Sequence, residues 1–137
     1  MPRTKKIRNK CLFCNNDLNG SPKGIYCNNK CQQEFRYQEY IKRWKKGLET
    51  GNRGEGLSQY VRRYLFEKYN NKCCRCGWKK MNELTGKIPL TVEHIDGHWW
   101  NTIESNLKLL CPNCHSLTET YGSLNIGNGR SKRIAKN

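Results

Sequence analysis

Long apolar runs are missing: none approaches the roughly 18 residues that a bilayer-spanning helix needs. The first residues, Met-Pro-Arg-Thr-Lys-Lys, are basic but lead into no apolar stretch, so they do not read as a secretory signal. No membrane partner is expected, and the expected compartment is the cytoplasm. Acidic side chains are scarce: 11 Asp and Glu stand against 26 Lys and Arg. The resulting formal net charge of +15 excludes an acidic disordered chain. Apolar residues are also few, 35% of 137 residues, and the mean hydropathy is −0.97. A chain of this length makes one domain, or one with a small appendage. Its core will be small, and something besides apolar burial must stabilise it.

Cysteine is what the chain has in excess. Eight of the nine cysteines fall into four close pairs: Cys11 and Cys14, Cys27 and Cys31, Cys73 and Cys76, Cys111 and Cys114. Without an export signal a disulfide framework is disfavoured. Two residues between thiolates let a tight knuckle turn both sulfurs toward one ion, and two knuckles complete a tetrahedral zinc site. The natural grouping is Cys11, Cys14, Cys27 and Cys31 for one structural zinc, and Cys73, Cys76, Cys111 and Cys114 for a second. Redox-active CxxC is the competing reading, but it wants a thioredoxin-like context that is absent here. Cys74 is left over as a plain thiol. Metal binding supplies folding free energy directly, which accounts for how so polar a chain folds.

Residues 1–10 read as a basic arm and residues 11–31 as a loop-rich zinc module. A helical pattern follows from Gln32 to Lys46, with Tyr37, Ile41, Trp44 and Leu48 on one apolar stripe. Residues 47–57 contain Gly47, Gly51, Gly54 and Gly56 and read as a flexible linker. Ser58 is a candidate N-cap for a second helix burying Leu57, Val61, Tyr64, Leu65 and Tyr69. Residues 87–93 read as a strand in which Pro89 implies an edge or a late start. Residues 107–110 form a second short strand, and Pro112 opens a helix to about Thr120. Residues 121–137 read as a loose basic tail.

Charge is uneven. Residues 1–46 carry net +9, residues 47–120 only +2, and residues 121–137 +4. A nearly neutral centre with basic flanks points to a polyanion, most simply nucleic acid.

Only three histidines occur: His94, His98 and His115. His94 follows Glu93 at the end of the first strand, Asn106 begins the second short strand, and His115 follows Cys114. The second zinc would pin the start of this unit to its end, so that Glu93 and His94 face His115. A carboxylate and an imidazole facing each other can hold a divalent ion, and a neighbouring imidazole can take a proton from water near neutral pH. Duller readings stand beside these: His94 as a satisfied strand-end histidine, His115 as a spare zinc ligand, Glu93 as a solvated carboxylate. His98 and Asn101 read as loop residues, and Trp99 and Trp100 as loop packing or substrate contacts.

The blocks EHIDG, NL-x-LLC and CPNCH, in that order over about residues 58–122, resemble the HNH endonucleases. They are most similar to the four-cysteine zinc-containing subgroup common in phages and prophages. The resemblance implies a small zinc-stabilised α+β protein: a ββα-metal HNH core over residues 58–122, an N-terminal knuckle or ribbon-like module and basic helix over 1–46, the linker 47–57 and a basic tail over 123–137. It implies a metal-dependent DNA endonuclease leaving 5′-phosphate and 3′-hydroxyl ends, with His94 as general base and Asn106 bracing the loop. Glu93 and His115 would hold a catalytic Mg²⁺, Mn²⁺ or other divalent ion. Two departures are Ser116 to Glu119, where a Lys is common, and the bulky His98-Trp99-Trp100 loop.

Double-stranded DNA is the expected partner, in a bacterial or phage-infected cell. Its candidate contacts are Lys42, Arg43, Lys45 and Lys46 on the first helix and Arg130, Lys132 and Arg133 in the tail. The arm residues Arg3, Lys5, Lys6, Arg8 and Lys10, with Lys136, add to them. Two other readings stay open: a non-catalytic zinc-finger nucleic-acid-binding protein, and a packaging accessory acting with a terminase-like partner. A homodimer is equally open.

Overall fold

The computed structural model describes residues 10–18, 24–125 and 127. They divide into two compact units between Lys42 and Arg43. The helix α1 (Asn29–Lys45) contributes to both.

In the first unit the chain turns back at Asn15, whose φ of 62° lies in the left-handed region that Asn tolerates. Cys11 N donates to Asn16 O at 2.8 Å and Leu12 N to Ile25 O at 2.9 Å, which closes the turn carrying Cys11 and Cys14. Asn28 Oδ1 accepts from Cys31 N at 3.0 Å and so caps the first turn of α1. This cap explains why α1 starts three residues before the expected Gln32. The Tyr26 and Phe35 rings pack 5.7 Å apart.

The second unit holds two small antiparallel sheets. The first pairs β1 (Asn52–Arg53) with β2 (Gly56–Leu57). The expectation of a flexible linker over 47–57 is therefore corrected: the segment is a hairpin. Gly51 explains why: it has φ +78°, and a Cβ there would lie 2.7 Å from both Trp44 Nε1 and Thr102 Cγ2. Glycine serves close packing at this position rather than freedom. Leu48, placed on the buried stripe by its spacing, is 70% exposed because α1 has already ended at Lys45.

The helix α2 (Gln59–Lys68) begins at the expected cap, where Ser58 Oγ accepts from Tyr60 N at 3.2 Å, and it buries Val61 and Leu65. The second sheet pairs β3 (Thr91–His94) with β4 (Leu107–Leu110), in register Glu93 to Lys108 and His94 to Leu107. The late start of β3 follows from Pro89, which has no N–H for a ladder. The short helix α3 (Pro112–Ser116) packs on both strands. It ends four residues before the expected Thr120, and the chain then makes a 3-10 turn at Gly122–Asn125. The core gathers Leu90, Leu109 and Leu110 around Cys73, Cys111 and Cys114. The protein is thus a small α+β fold with two four-cysteine groups. No described helix is long and apolar enough to cross a membrane.

Candidate functional site

The two cysteine groups assemble as the spacing implies. In each, four sulfurs lie within 4.8 Å of one another: Cys11, Cys14, Cys27 and Cys31, then Cys73, Cys76, Cys111 and Cys114. A tetrahedral zinc with Zn–S near ~2.3 Å requires sulfurs about 3.8 Å apart. The Cys14 to Cys27 separation is 3.4 Å and the Cys76 to Cys111 separation 3.7 Å, so both groups fit the ion. Backbone amides already point at the sulfurs, Cys27 N to Cys11 Sγ and Cys114 N to Cys111 Sγ, each at 3.4 Å.

The ionisation of the thiols gives the same indication. Burial raises the Cys11 thiol, yet backbone donation from Cys14, Cys27 and Phe13 outweighs it and brings the pKa down to about 6. Burial likewise raises Cys73, and donation from Cys76, Cys111 and Arg75 brings it to about 6. Cys27 is pushed up to about 12, first by its hydrogen bond with Cys14 and then by burial. Cys114 is pushed up to about 12 by burial and by its cysteine neighbours. Four thiolates this close repel one another, and a dication removes that penalty. Both groups could hold zinc, and three of the second group's four cysteines are buried in the core.

The β3–β4 pair and α3 build the rest. Glu93 and His94 end β3, and His115 sits on α3 directly after the zinc-group residue Cys114. Glu93 is buried, 8% exposed, so it is not a solvated strand-end carboxylate. Its Oε1 accepts from Thr120 Oγ1 at 2.9 Å; Thr118 Oγ1 lies 3.3 Å away and shares its one hydrogen with the nearer His115 O at 3.0 Å. Its Oε2 lies 2.6 Å from His115 Nδ1. That nitrogen is buried and has no aligned hydrogen-bond partner. Two donor atoms held close without a shared hydrogen bond suit a common cation. His115 therefore faces Glu93 and takes no part in the four-sulfur group.

His94 meets a different set of groups. Its Nε2 lies 3.4 Å from Thr102 Oγ1. A hydroxyl has one hydrogen, and that of Thr102 goes to Asn52 Oδ1 at 2.7 Å, with Trp99 O at 3.3 Å as second acceptor. Asn52 Nδ2 donates to Trp100 O at 3.3 Å, which sets the orientation of the Asn52 amide. With its hydrogen on Asn52, Thr102 Oγ1 offers a lone pair toward His94 Nε2. Thr102 is itself held through its carbonyl, which accepts from Trp44 Nε1 at 2.7 Å.

Asn106 braces the loop between the strands. Its Nδ2 donates to Asp96 Oδ1 at 2.9 Å and to Asn101 O at 2.7 Å, and its Oδ1 accepts from Asp96 N at 3.1 Å. Asp96 also accepts from His98 N at 2.9 Å and Asn101 Nδ2 at 2.6 Å. Burial raises the Asp96 carboxyl, but these donors hold it well below the usual carboxylate range. The turn ending at Asn106 is tied to α2, because Glu104 accepts from Tyr64 Oη at 2.7 Å and Lys68 Nζ at 2.9 Å. His98 and Trp100 stack at 4.6 Å within the loop, and Trp100 stays 52% exposed.

Glu93, His94 and His115 line one cleft of about 640 Å³, with Arg62, Trp99 and Tyr121 at its walls. Tyr121 packs edge-on to His115 at 5.2 Å, and Asn125 Nδ2 donates to Gly97 O at 2.8 Å. The start of the expected loose tail thus closes one side of the cleft.

The geometry coincides with a measurable relationship. The H-N-H endonuclease F-TflIV of Escherichia phage T5 is 39% identical over 93 residues, which is 66% of this chain and 40% of that protein. Over those residues the chain is similar to an HNH endonuclease. It spans less than half of that relative's length. No family model matches the chain, and no solved structure does.

The cations assigned to DNA are less uniform than their sequence positions imply. Lys42 pairs with Glu39 and Arg43 with Glu49, each at 3.1 Å. Lys45 lies 4.5 Å over the Tyr64 ring, and Lys46 is exposed. Arg130, Lys132, Arg133 and Lys136, with Arg3, Lys5, Lys6 and Arg8, lie outside the described residues. Thr102, Asn52, Thr118 and Thr120 were not singled out by the sequence; isolated threonines and an asparagine carry no spacing signal.

Proposed function

We propose that this chain is a metal-dependent DNA endonuclease with an HNH-type ββα-metal centre formed by β3, β4 and α3. The observation that carries the reading is the 2.6 Å approach of His115 Nδ1 to Glu93 Oε2, with no hydrogen bond between them, in the cleft that His94 also lines. A purely structural zinc module has no use for a second donor pair beside its four sulfurs.

In this reading Glu93 and His115 hold the catalytic divalent ion, and Thr120 keeps the Glu93 carboxylate turned toward it. Bound there, an ion such as Mg²⁺ or Mn²⁺ supplies positive charge to the scissile phosphate and the departing 3′-oxygen. His94 takes the proton from the attacking water at Nδ1, while Thr102 accepts from Nε2–H. Asn106 acts on the loop, through Asp96 and Asn101. Inline attack forms the bond from water oxygen to phosphorus and breaks the bond to the 3′-oxygen, which takes a proton from solvent, leaving 5′-phosphate and 3′-hydroxyl ends.

The test is nicking of supercoiled plasmid by zinc-loaded protein with Mg²⁺, Mn²⁺ or no added metal, beside His94→Ala. Metal-dependent nicking that disappears in His94→Ala, with DNA binding retained, is the expected result. A fully active His94→Ala protein overturns the general-base role. Absence of nicking with either ion overturns the nuclease reading for this chain alone.

A further inference from the structure

The catalytic half is nearly neutral by count, yet its charges are not evenly available. Residues 47–120 contain eight carboxylates, and five are occupied within the fold. Glu49 and Glu67 pair with Arg43 and Arg63, and Glu104 is held by Tyr64 and Lys68. Glu93 and Asp96 are held inside the candidate site. By contrast, Arg62 and Lys87 form no ion pair among the described residues.

Both line a second groove, of about 950 Å³, between α2 and residues 81–90. Phe66, Ile88 and Pro89 supply apolar walls, and no carboxylate lines it. The segment bearing Lys87 is fixed. Asn82 N donates to Lys87 O and Gly86 N to Asn82 O, each at 2.8 Å, and Asn82 Oδ1 accepts from Leu84 N at 2.9 Å. Arg62 lines this groove and also the cleft of Glu93, His94 and His115, so the two adjoin at that side chain.

We propose that this groove seats the phosphodiester backbone of the DNA beyond the cleaved position, with Arg62 and Lys87 each neutralising one phosphate. The shared Arg62 sets the groove beside the candidate cleft, within reach of one bound strand, and cations without carboxylates select a polyanion. The choice of DNA rests on the nuclease reading, while the location of the seat rests on the groove. Affinity then comes partly from the catalytic half itself and not only from the basic flanks.

The experiment measures binding of a labelled duplex to zinc-loaded protein across a salt series, with no catalytic metal added. Arg62→Gln, Lys87→Gln and the double variant are compared with Lys108→Gln, an exposed lysine that lines neither cavity. Each phosphate contact contributes about 0.9 to the slope of log affinity against log salt. The slope is expected to fall by about one for each single variant and about two for the double. Lys87→Arg is expected to restore it, and Lys108→Gln to leave it unchanged. Unchanged slopes in the groove variants, or an equal loss in Lys108→Gln, overturn the proposal. Zinc content and melting temperature equal to the parent's confirm that the variants are folded. Plasmid nicking by the parent is scored separately, so a protein that binds through the groove but does not cut overturns only the nuclease reading.

Discussion

His115 Nδ1 and Glu93 Oε2 stand 2.6 Å apart in a buried position without an aligned hydrogen bond. Thr120 holds the other carboxylate oxygen at 2.9 Å. Calorimetric titration of zinc-loaded protein with Mn²⁺ is expected to show one further site, abolished by Glu93→Gln or His115→Ala. Thr120→Val is expected to weaken that site by about 10- to 100-fold, the range typical of groups that orient a ligand. Thr120→Ser restores it. Unaltered Mn²⁺ affinity in Glu93→Gln contradicts the ligand assignment.

The His94 tautomer proposed above, with Nε2–H donating to Thr102, is tested at Thr102. Thr102→Val keeps the shape and removes the acceptor for Nε2–H. Nitrogen chemical shifts of neutral His94 are expected to report the Nε2–H form in the parent and Thr102→Ser, and a mixture in Thr102→Val. Nicking is expected to fall by about 10- to 100-fold in the valine variant, a share of the 10²–10⁴ that positioned general bases contribute. An unchanged His94 spectrum in Thr102→Val refutes the assignment.

Zinc content is expected to be two per chain by elemental analysis. The second group sits in the core, with Cys73 1% and Cys111 3% exposed, whereas Cys14 and Cys27 of the first are exposed. Cys73→Ser is therefore expected to abolish cooperative unfolding of the second unit. Cys14→Ser should lose one zinc and leave that transition in place. A strong chelator is expected to lower the melting temperature, since metal binding and folding are linked. A count of one zinc removes the N-terminal site.

Asp96 sets an acid limit. Its folded pKa is depressed, so its contribution is present above the unfolded value of about 3.9 and is lost as pH falls toward the folded one. Denaturant midpoints measured downward from pH 5 should show a steeper loss in the parent than in Asp96→Asn. At pH 7 the variant is expected to be less stable by about 1–3 kcal/mol, as for a charged acceptor removed from its donors. Parallel pH profiles for the two proteins exclude this role.

The metal chemistry was readable from spacing because knuckle geometry is local: two residues between thiolates suffice to turn both sulfurs inward. The strand over 107–110, the Ser58 cap and the late start of β3 were equally local, each set by one residue type at one position. Residues 47–57 went the other way. Glycine enrichment looks the same whether glycines confer freedom or admit close contact, and only the indole of Trp44 beside Gly51 decides between them.

The amino-acid order alone thus determined the cysteine groups, the Glu93-His94, Asn106 and His115 set and the family it resembles, because all of these are carried by residue type and short spacing. The tertiary structure decided what those residues touch. It turned Thr120 onto Glu93, placed Thr102 against His94 and Asn52 against Thr102, and folded the residues after α3 over the cleft. It also separated paired from unpaired charge, leaving Arg62 and Lys87 on one groove of a half whose net charge is only +2. Net charge is a sum over residues, whereas affinity for a polyanion depends on where the uncompensated cations lie.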